Sequence, residues 1–228
     1  MRTSLLIRCL SAALLWSGLL HAATPEENAL LDSWCAAQNH LHTWTADAIQ
    51  TREIKTFNQP LVSTGKVWVI TPDRFRWELG QPAQTIALRN GGQLYLVYPK
   101  LKRAEKYALN SKQSGPLHDA LVLIEATFPR SRAELEAQFK VLSLTQTNGT
   151  ARMALEPKSD FAKKFMSQVD IAFRLSDFTP VLTELKFSDG SRMRNEFTNS
   201  IVNQPLEDRI FEAEIGPDYK LTEPLNSK

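Results

Sequence analysis

Arg74-Phe75-Arg76-Trp77-Glu78-Leu79 alternates apolar residues at 75, 77 and 79 with charged ones at 74, 76 and 78. Successive side chains of a strand point to opposite faces, so this stretch has one buried face and one wet face. Working outward, residues 65–71, 85–90 and 93–98 read as further strands, and Asn90-Gly91-Gly92 between the last two marks a tight hairpin. Residues 100–109 continue the pattern with a basic solvent face. Farther along, strands are expected at about 139–146, 151–156, 168–176, 181–188 and 191–199. They are separated by Asn148-Gly149, the stretch 177–180 and Asp189-Gly190.

Helical spacing replaces this alternation in a few places. Thr24-Pro25-Glu26-Glu27 supplies a capping residue, a proline for the first turn and a glutamate three residues after the cap, and it predicts a helix over about 25–40. Leu117, Leu121, Ile124 and Phe128 recur at helical spacing over 116–128, with Ala120, Val122 and Leu123 widening the apolar surface nearly all round. Ser131 and Glu134 then form a capping box for a third helix, and 160–166 reads as a short fourth. No linker or charge run divides the strands before the central helices from those after. The reading is one α+β domain over 24–228, an antiparallel sheet of about ten or eleven strands with helices on one side. A sheet that large curls, and 9 glycines are few for a tightly closed barrel, so an incomplete barrel is expected.

Residues 1–23 have the layout of a cleaved secretory signal peptide: Arg2 and Arg8 first, an apolar run over 9–20, then Ala22 and Ala23. An exported protein, cut after Ala22 or Ala23, is expected. Removing Arg2 and Arg8 leaves 25 basic residues (27 − 2) against 25 acidic ones. A neutral chain lacks the basic footprint that binding a phosphate backbone requires, so no nucleic-acid partner is expected. Cys35 alone survives cleavage, which excludes an intramolecular disulfide and leaves either a small buried residue or a reactive thiol.

No enzyme chemistry stands out. The 228 residues hold no Gly-x-Ser-x-Gly elbow, phosphate-cradling glycine loop or His-Glu-x-x-His. His40 and His42 have no Cys or acidic cluster at ligand spacing, so neither a metal nor a cofactor is expected. What remains is apolar surface beyond the needs of the sheet, which either fills a core or encloses a ligand cavity.

Residues 65–78, Gly-Lys-Val-Trp-Val-Ile-Thr-Pro-Asp-Arg-Phe-Arg-Trp-Glu, resemble the LolA family of periplasmic lipoprotein carriers. That family shows an aromatic-rich strand after a glycine, a proline turn, then Phe-x-Trp. Pro82, Gly91-Gly92, Leu94-Tyr95-Leu96-Val97-Tyr98-Pro99, the run 182–187, Asp189-Gly190, Phe197-Thr198-Asn199 and Phe211 keep the family's order through the rest of the chain. The resemblance implies a half-barrel of about eleven strands, capped by helices, whose apolar cavity holds lipoprotein acyl chains during passage from inner to outer membrane. It implies a periplasmic, monomeric, non-enzymatic carrier with two membrane partners, an inner-membrane lipoprotein-releasing ABC transporter and an outer-membrane receptor. Where the family often has an arginine that ties its lid helices shut, this chain has Thr71. A LolA-like carrier of another lipid or lipid-linked product in envelope biogenesis is the alternative.

Period-two alternation then selects an acyl-cavity wall of Phe75, Trp77 and Leu79, followed by Ile86, Leu88, Leu94 and Leu96. Leu117, Leu121 and Ile124 form the helical stripe expected to close over them.

Overall fold

The computed structural model describes residues 24–109 and 126–224. Helix α1 (Pro25–Gln38) opens with a reciprocal cap: the Thr24 hydroxyl accepts from the Glu27 amide at 3.2 Å, and the Glu27 carboxylate accepts from the Thr24 amide at 2.7 Å. A meander follows: β1 (Thr43–Glu53), β2 (Leu61–Ile70), β3 (Arg74–Leu79), β4 (Thr85–Asn90), β5 (Gln93–Tyr98) and β6 (Arg103–Ala108). After helix α2 (Arg132–Gln138) come β7 (Phe139–Thr147), β8 (Thr150–Pro157), the short α3 (Asp160–Phe165), β9 (Met166–Arg174), β10 (Pro180–Phe187), β11 (Arg192–Val202) and β12 (Lys220–Thr222).

Among the described residues these strands form one twelve-stranded sheet in the order β12-β6-β5-β4-β3-β2-β1-β11-β10-β9-β8-β7. Every pairing is antiparallel except β12 on β6. The two meanders join where β1 pairs with β11, from Trp44 opposite Val202 to Glu53 opposite Arg192. The outer strands β12 and β7 do not pair with each other, so the sheet curls without closing. The architecture is the α+β, open curved sheet expected from the alternation pattern. The three residues of β12 are too few to show a period and went unread.

Local chemistry fixes the turns. Asn148 and Gly149 form the two-residue link between β7 and β8 with φ of 49° and 76°, the left-handed pair that matches strand twist. The strand expected from residue 100 begins at Arg103, because Pro99–Leu101 wind into one 3-10 turn. At α2, the Ser131 hydroxyl accepts from the Glu134 amide at 3.1 Å, but the Glu134 carboxylate reaches back to the Arg130 amide at 3.0 Å, one residue earlier than the capping box predicts. Of the helix expected over 116–128, Ala126 and Thr127 lie in a turn, and residues 116–125 lie outside the described residues.

The convex face of β8–β11 is a lattice of charges. Asp170, 2 % exposed, accepts from Arg152 at 2.8 Å and from Gln168 at 2.6 Å, with the Lys186 ammonium 3.2 Å away. Burial by itself would raise the Asp170 carboxyl, but these hydrogen bonds and cations outweigh it and hold the group below the ordinary carboxylate value. Its contribution is therefore present above about pH 4, the unfolded value, and is lost as pH falls through the lower folded value. Asp170→Asn is expected to cost about 2 kcal/mol at pH 7. Urea titrations at pH 7 and pH 3 check this: the gap between variant and parent should shrink in acid, and an undiminished gap would point to shape rather than charge.

Candidate functional site

Residues directly opposite on antiparallel strands share a face. On β2, β3 and β4 this places Val69 beside Phe75, then Val67, Trp77 and Ala87 in a row, then Gly65, Leu79 and Thr85. β1 continues the face with Trp44, Ala46, Ala48 and Gln50, β11 with Phe197, Asn195 and Met193, and β10 with Thr183 and Leu185. This is the concave side of the sheet, and two different things happen on it.

Over β7–β9 the concavity is filled. Helix α1 lays Leu31, Trp34 and Cys35 against Leu135, Phe139, Met153, Leu155, Ile171 and Phe173, and the Trp34 ring stacks on Phe173 with centroids 5.3 Å apart. Cys35 is buried there. Burial, with the Asp32 carboxylate adding to it, pushes its thiol up to about 11, which leaves almost no thiolate at neutral pH. Of the two readings left open by the sequence, the structure favours the small buried residue.

Over β1–β4, β10 and β11 the concavity holds a void of about 200 Å³. Trp44, Val67, Val69, Phe75, Trp77, Leu79, Ala87, Leu185, Met193 and Phe197 supply its apolar wall, and Thr127 and Phe128 come in from the turn after the central segment. The aromatic rings brace one another: Phe197 meets Trp44 edge-on at 4.9 Å and Trp77 at 5.7 Å, and Phe128 lies 5.4 Å from Trp44. Gly65 allows β2 and β3 to come this close, since a Cβ there would stand 1.8 Å from the Glu78 carbonyl oxygen. A row of polar side chains crosses the wall. Gln50 donates to Asn195 at 2.9 Å, and Asn195 donates to Thr183 at 3.0 Å.

Phe75, Trp77 and Leu79 line this void. Leu94 belongs to the same apolar cluster without touching the void, and Leu96 shares its face, opposite Ala87. Ile86 and Leu88 need correction. They pair with Glu78 and Arg76 and stand on the convex side, while the inward positions of β4 are Thr85 and Ala87. Period two was right for β4, but its apolar side is not the concave one, because the chain after β11 covers the convex side here. Arg76 donates to the Ile210 carbonyl at 3.1 Å, Asn90 donates to the Phe211 carbonyl at 3.3 Å, and Phe211 is fully buried with the Arg74 guanidinium over its ring. Leu117, Leu121 and Ile124 lie outside the described residues. Thr71, where the resemblance puts the family's latch arginine, donates its hydroxyl to the Leu41 carbonyl at 2.7 Å.

Sequence reasoning missed the other half of the wall. Trp44 and Gln50 lie on β1, two strands from β3 in the same meander, while Thr183, Leu185, Met193, Asn195 and Phe197 come from strands that the chain order keeps far from β3 and that the β1–β11 pairing brings there. On β1 the inward residues are Trp44, Ala46, Ala48 and Gln50, whose two alanines blur the contrast between the faces.

Known proteins resemble this chain in sequence and in fold. Residues 39–214 match the family model described as outer membrane lipoprotein carrier protein LolA. A curated relative from Coxiella burnetii, named outer-membrane lipoprotein carrier protein, is 27% identical over 199 residues, covering 86% of each chain. Among solved structures, an uncharacterized conserved protein from Thermus thermophilus superposes with a TM-score of 0.50 at 8% identity, over 87% of this chain and 99% of that one. A chain of the Pseudomonas aeruginosa MucA/MucB complex superposes with a TM-score of 0.47 at 12% identity, over 86% of this chain and 63% of that one.

Proposed function

This chain belongs to the LolA family of outer membrane lipoprotein carriers, and from that premise we propose that it is an exported periplasmic carrier. It takes the acyl chains of lipoproteins into the concave cavity and shuttles them from the inner to the outer membrane, receiving them from a lipoprotein-releasing ABC transporter and delivering them to an outer-membrane receptor. The observation that carries this reading is the apolar void itself, walled by aromatic and aliphatic side chains on an open sheet whose other half is covered by helix α1.

The energetics suit a cavity rather than a surface. Each methylene taken out of a bilayer must be rehoused at about 0.8 kcal/mol. Fifteen of them need on the order of 12 kcal/mol at that rate, which a few surface hydrogen bonds at about 1 kcal/mol each do not supply. Burial against Trp44, Val67, Phe75 and Phe197 supplies it at about that rate for each methylene the cavity encloses. At about 200 Å³ the void is smaller than most ligand sites, which run to about 300–1,000 Å³. It houses part of one chain as it stands, and a whole chain requires the half-buried wall residues Leu79, Leu185 and Met193 to shift outward.

Native mass spectrometry of protein gently purified from the periplasm tests the reading. Co-purified acylated polypeptide is the expected result, with an amino terminus at Ala23 or Thr24. A bound phospholipid or another lipid-linked product would move the assignment to a different cargo. Turnover of lipid esters would make the protein an enzyme, and a chain that never takes up a lipid probe would sink the carrier reading altogether.

A further inference from the structure

The cavity is not uniformly apolar, and its polar groups share one character. Gln50, Asn195 and Thr183 sit side by side on β1, β11 and β10, 9 %, 3 % and 8 % exposed. The row is directional: Gln50 Nε2 donates to Asn195 Oδ1, and Asn195 Nδ2 donates to Thr183 Oγ1. Thr183, having accepted, has its own hydroxyl hydrogen left to give. On the same wall the indole Nε1 atoms of Trp44 and Trp77 are buried and have no hydrogen-bond partner among the described residues. A buried N–H without an acceptor carries the full cost of its lost water, but both nitrogens, like the indole nitrogen of Trp34 away from the void, are closed to a water molecule, so the donors that border the void are those of the polar row. Acid and base are absent from this wall, since no Asp, Glu, Lys or Arg lines the void among the described residues.

Resting on the carrier reading above, we infer that the cavity recognises the acyl linkage as well as the hydrocarbon. The carbonyl oxygen of an ester or amide is seated against the Gln50–Asn195–Thr183 row, with the Thr183 hydroxyl as its donor. The chemistry selects this group. A carbonyl oxygen only accepts, it is neutral and so enters an uncharged site without an ion's desolvation cost, and it is the strongest acceptor in an acyl ester or amide. A bare hydrocarbon would leave the Thr183 hydroxyl without an acceptor, and a cation would find no counter-charge. Placing the linkage here also sets the depth of the chain, which runs from the polar row along Val67, Val69 and Phe75.

Two probes with the same chain separate recognition of the linkage from hydrophobic filling. Monomyristoyl glycerol carries the ester carbonyl, and its tetradecyl ether has a methylene in that place. Displacement of a fluorescent fatty acid from the full mature chain is expected to show the ester about ten-fold tighter, as one hydrogen bond to a buried donor implies. Thr183→Val and, independently, Asn195→Leu should bring the ester-to-ether ratio to within about two-fold. The parent ratio needs no variant to fold, and a ratio near one overturns the inference while leaving the carrier standing. A ten-fold ratio that survives in Thr183→Val and in Asn195→Leu overturns it as well. If neither glyceride binds, the carrier reading falls and this one with it. Running a synthetic diacylglyceryl lipopeptide and phosphatidylglycerol against their ether analogues then shows which acyl source the linkage site serves.

Discussion

Trp34→Ala is expected to cost about 4 kcal/mol of folding stability and to leave acyl-probe binding by the folded protein unchanged. Trp34 is fully buried, stacks on Phe173, and is the largest side chain that α1 puts into the packed half of the concave face. Truncating it removes transfer energy and leaves a hole that the surrounding strands β7–β9 cannot close, because their hydrogen-bonded ladders fix their spacing. For a domain of this length each kcal/mol moves the midpoint by about 2–4 °C, so the variant should melt roughly 8–16 °C lower by that scale. Binding should persist because Trp34 does not line the void. Thermal melts followed by circular dichroism, with probe titration well below the midpoint, check both halves. A fall of a degree or two would mean that α1 is not integral to the core. Loss of binding at temperatures where the variant is folded would mean that the packed half and the cavity are one unit.

The division between those halves shows which parts of the molecule the sequence displays. β3 was legible outright, since its charges at 74, 76 and 78 leave only one face to bury. The same logic located most strands within a residue or two, because Asn148-Gly149 and Asp189-Gly190 punctuate them with turns only such residues adopt easily. It failed on β4 for a reason no local pattern contains. Leu88 is buried on the convex side beneath a segment more than a hundred residues later in the chain, where Phe211 and the Ile210 carbonyl meet β3 and β4. The inward Ala87 and Thr85 look like a solvent face by hydropathy, yet they border a void and need little bulk. The polar row was hidden likewise. Gln50, Thr183 and Asn195 each read as ordinary outward strand residues, and only the register of β1 on β11 and β11 on β10 makes them one chain of hydrogen bonds.

Ala87→Trp follows from that error and is the direct test of the void. Ala87 is half-buried, faces inward opposite Trp77, and has the smallest side chain on its stretch of the wall. A tryptophan grafted there points into empty space rather than into packed neighbours, so the strain that overpacking normally brings should stay small. Stability is expected to change by less than about 1 kcal/mol, in contrast to Trp34→Ala. Binding should respond strongly. The indole takes up room that would otherwise hold about four methylenes, and at about 0.8 kcal/mol each their loss weakens an acyl probe on the order of a hundred-fold. Titration of a fluorescent fatty acid into parent and variant, beside urea unfolding of both, reads the two effects separately. An unfolded variant would indicate that Ala87 is packed rather than bordering a void. A stable variant that binds as tightly as the parent would put the acyl chain somewhere other than the cavity beneath Trp77. A stable variant with its affinity gone would place the chain where Phe75, Trp77 and Phe197 converge, which no substitution confined to the packed half can do.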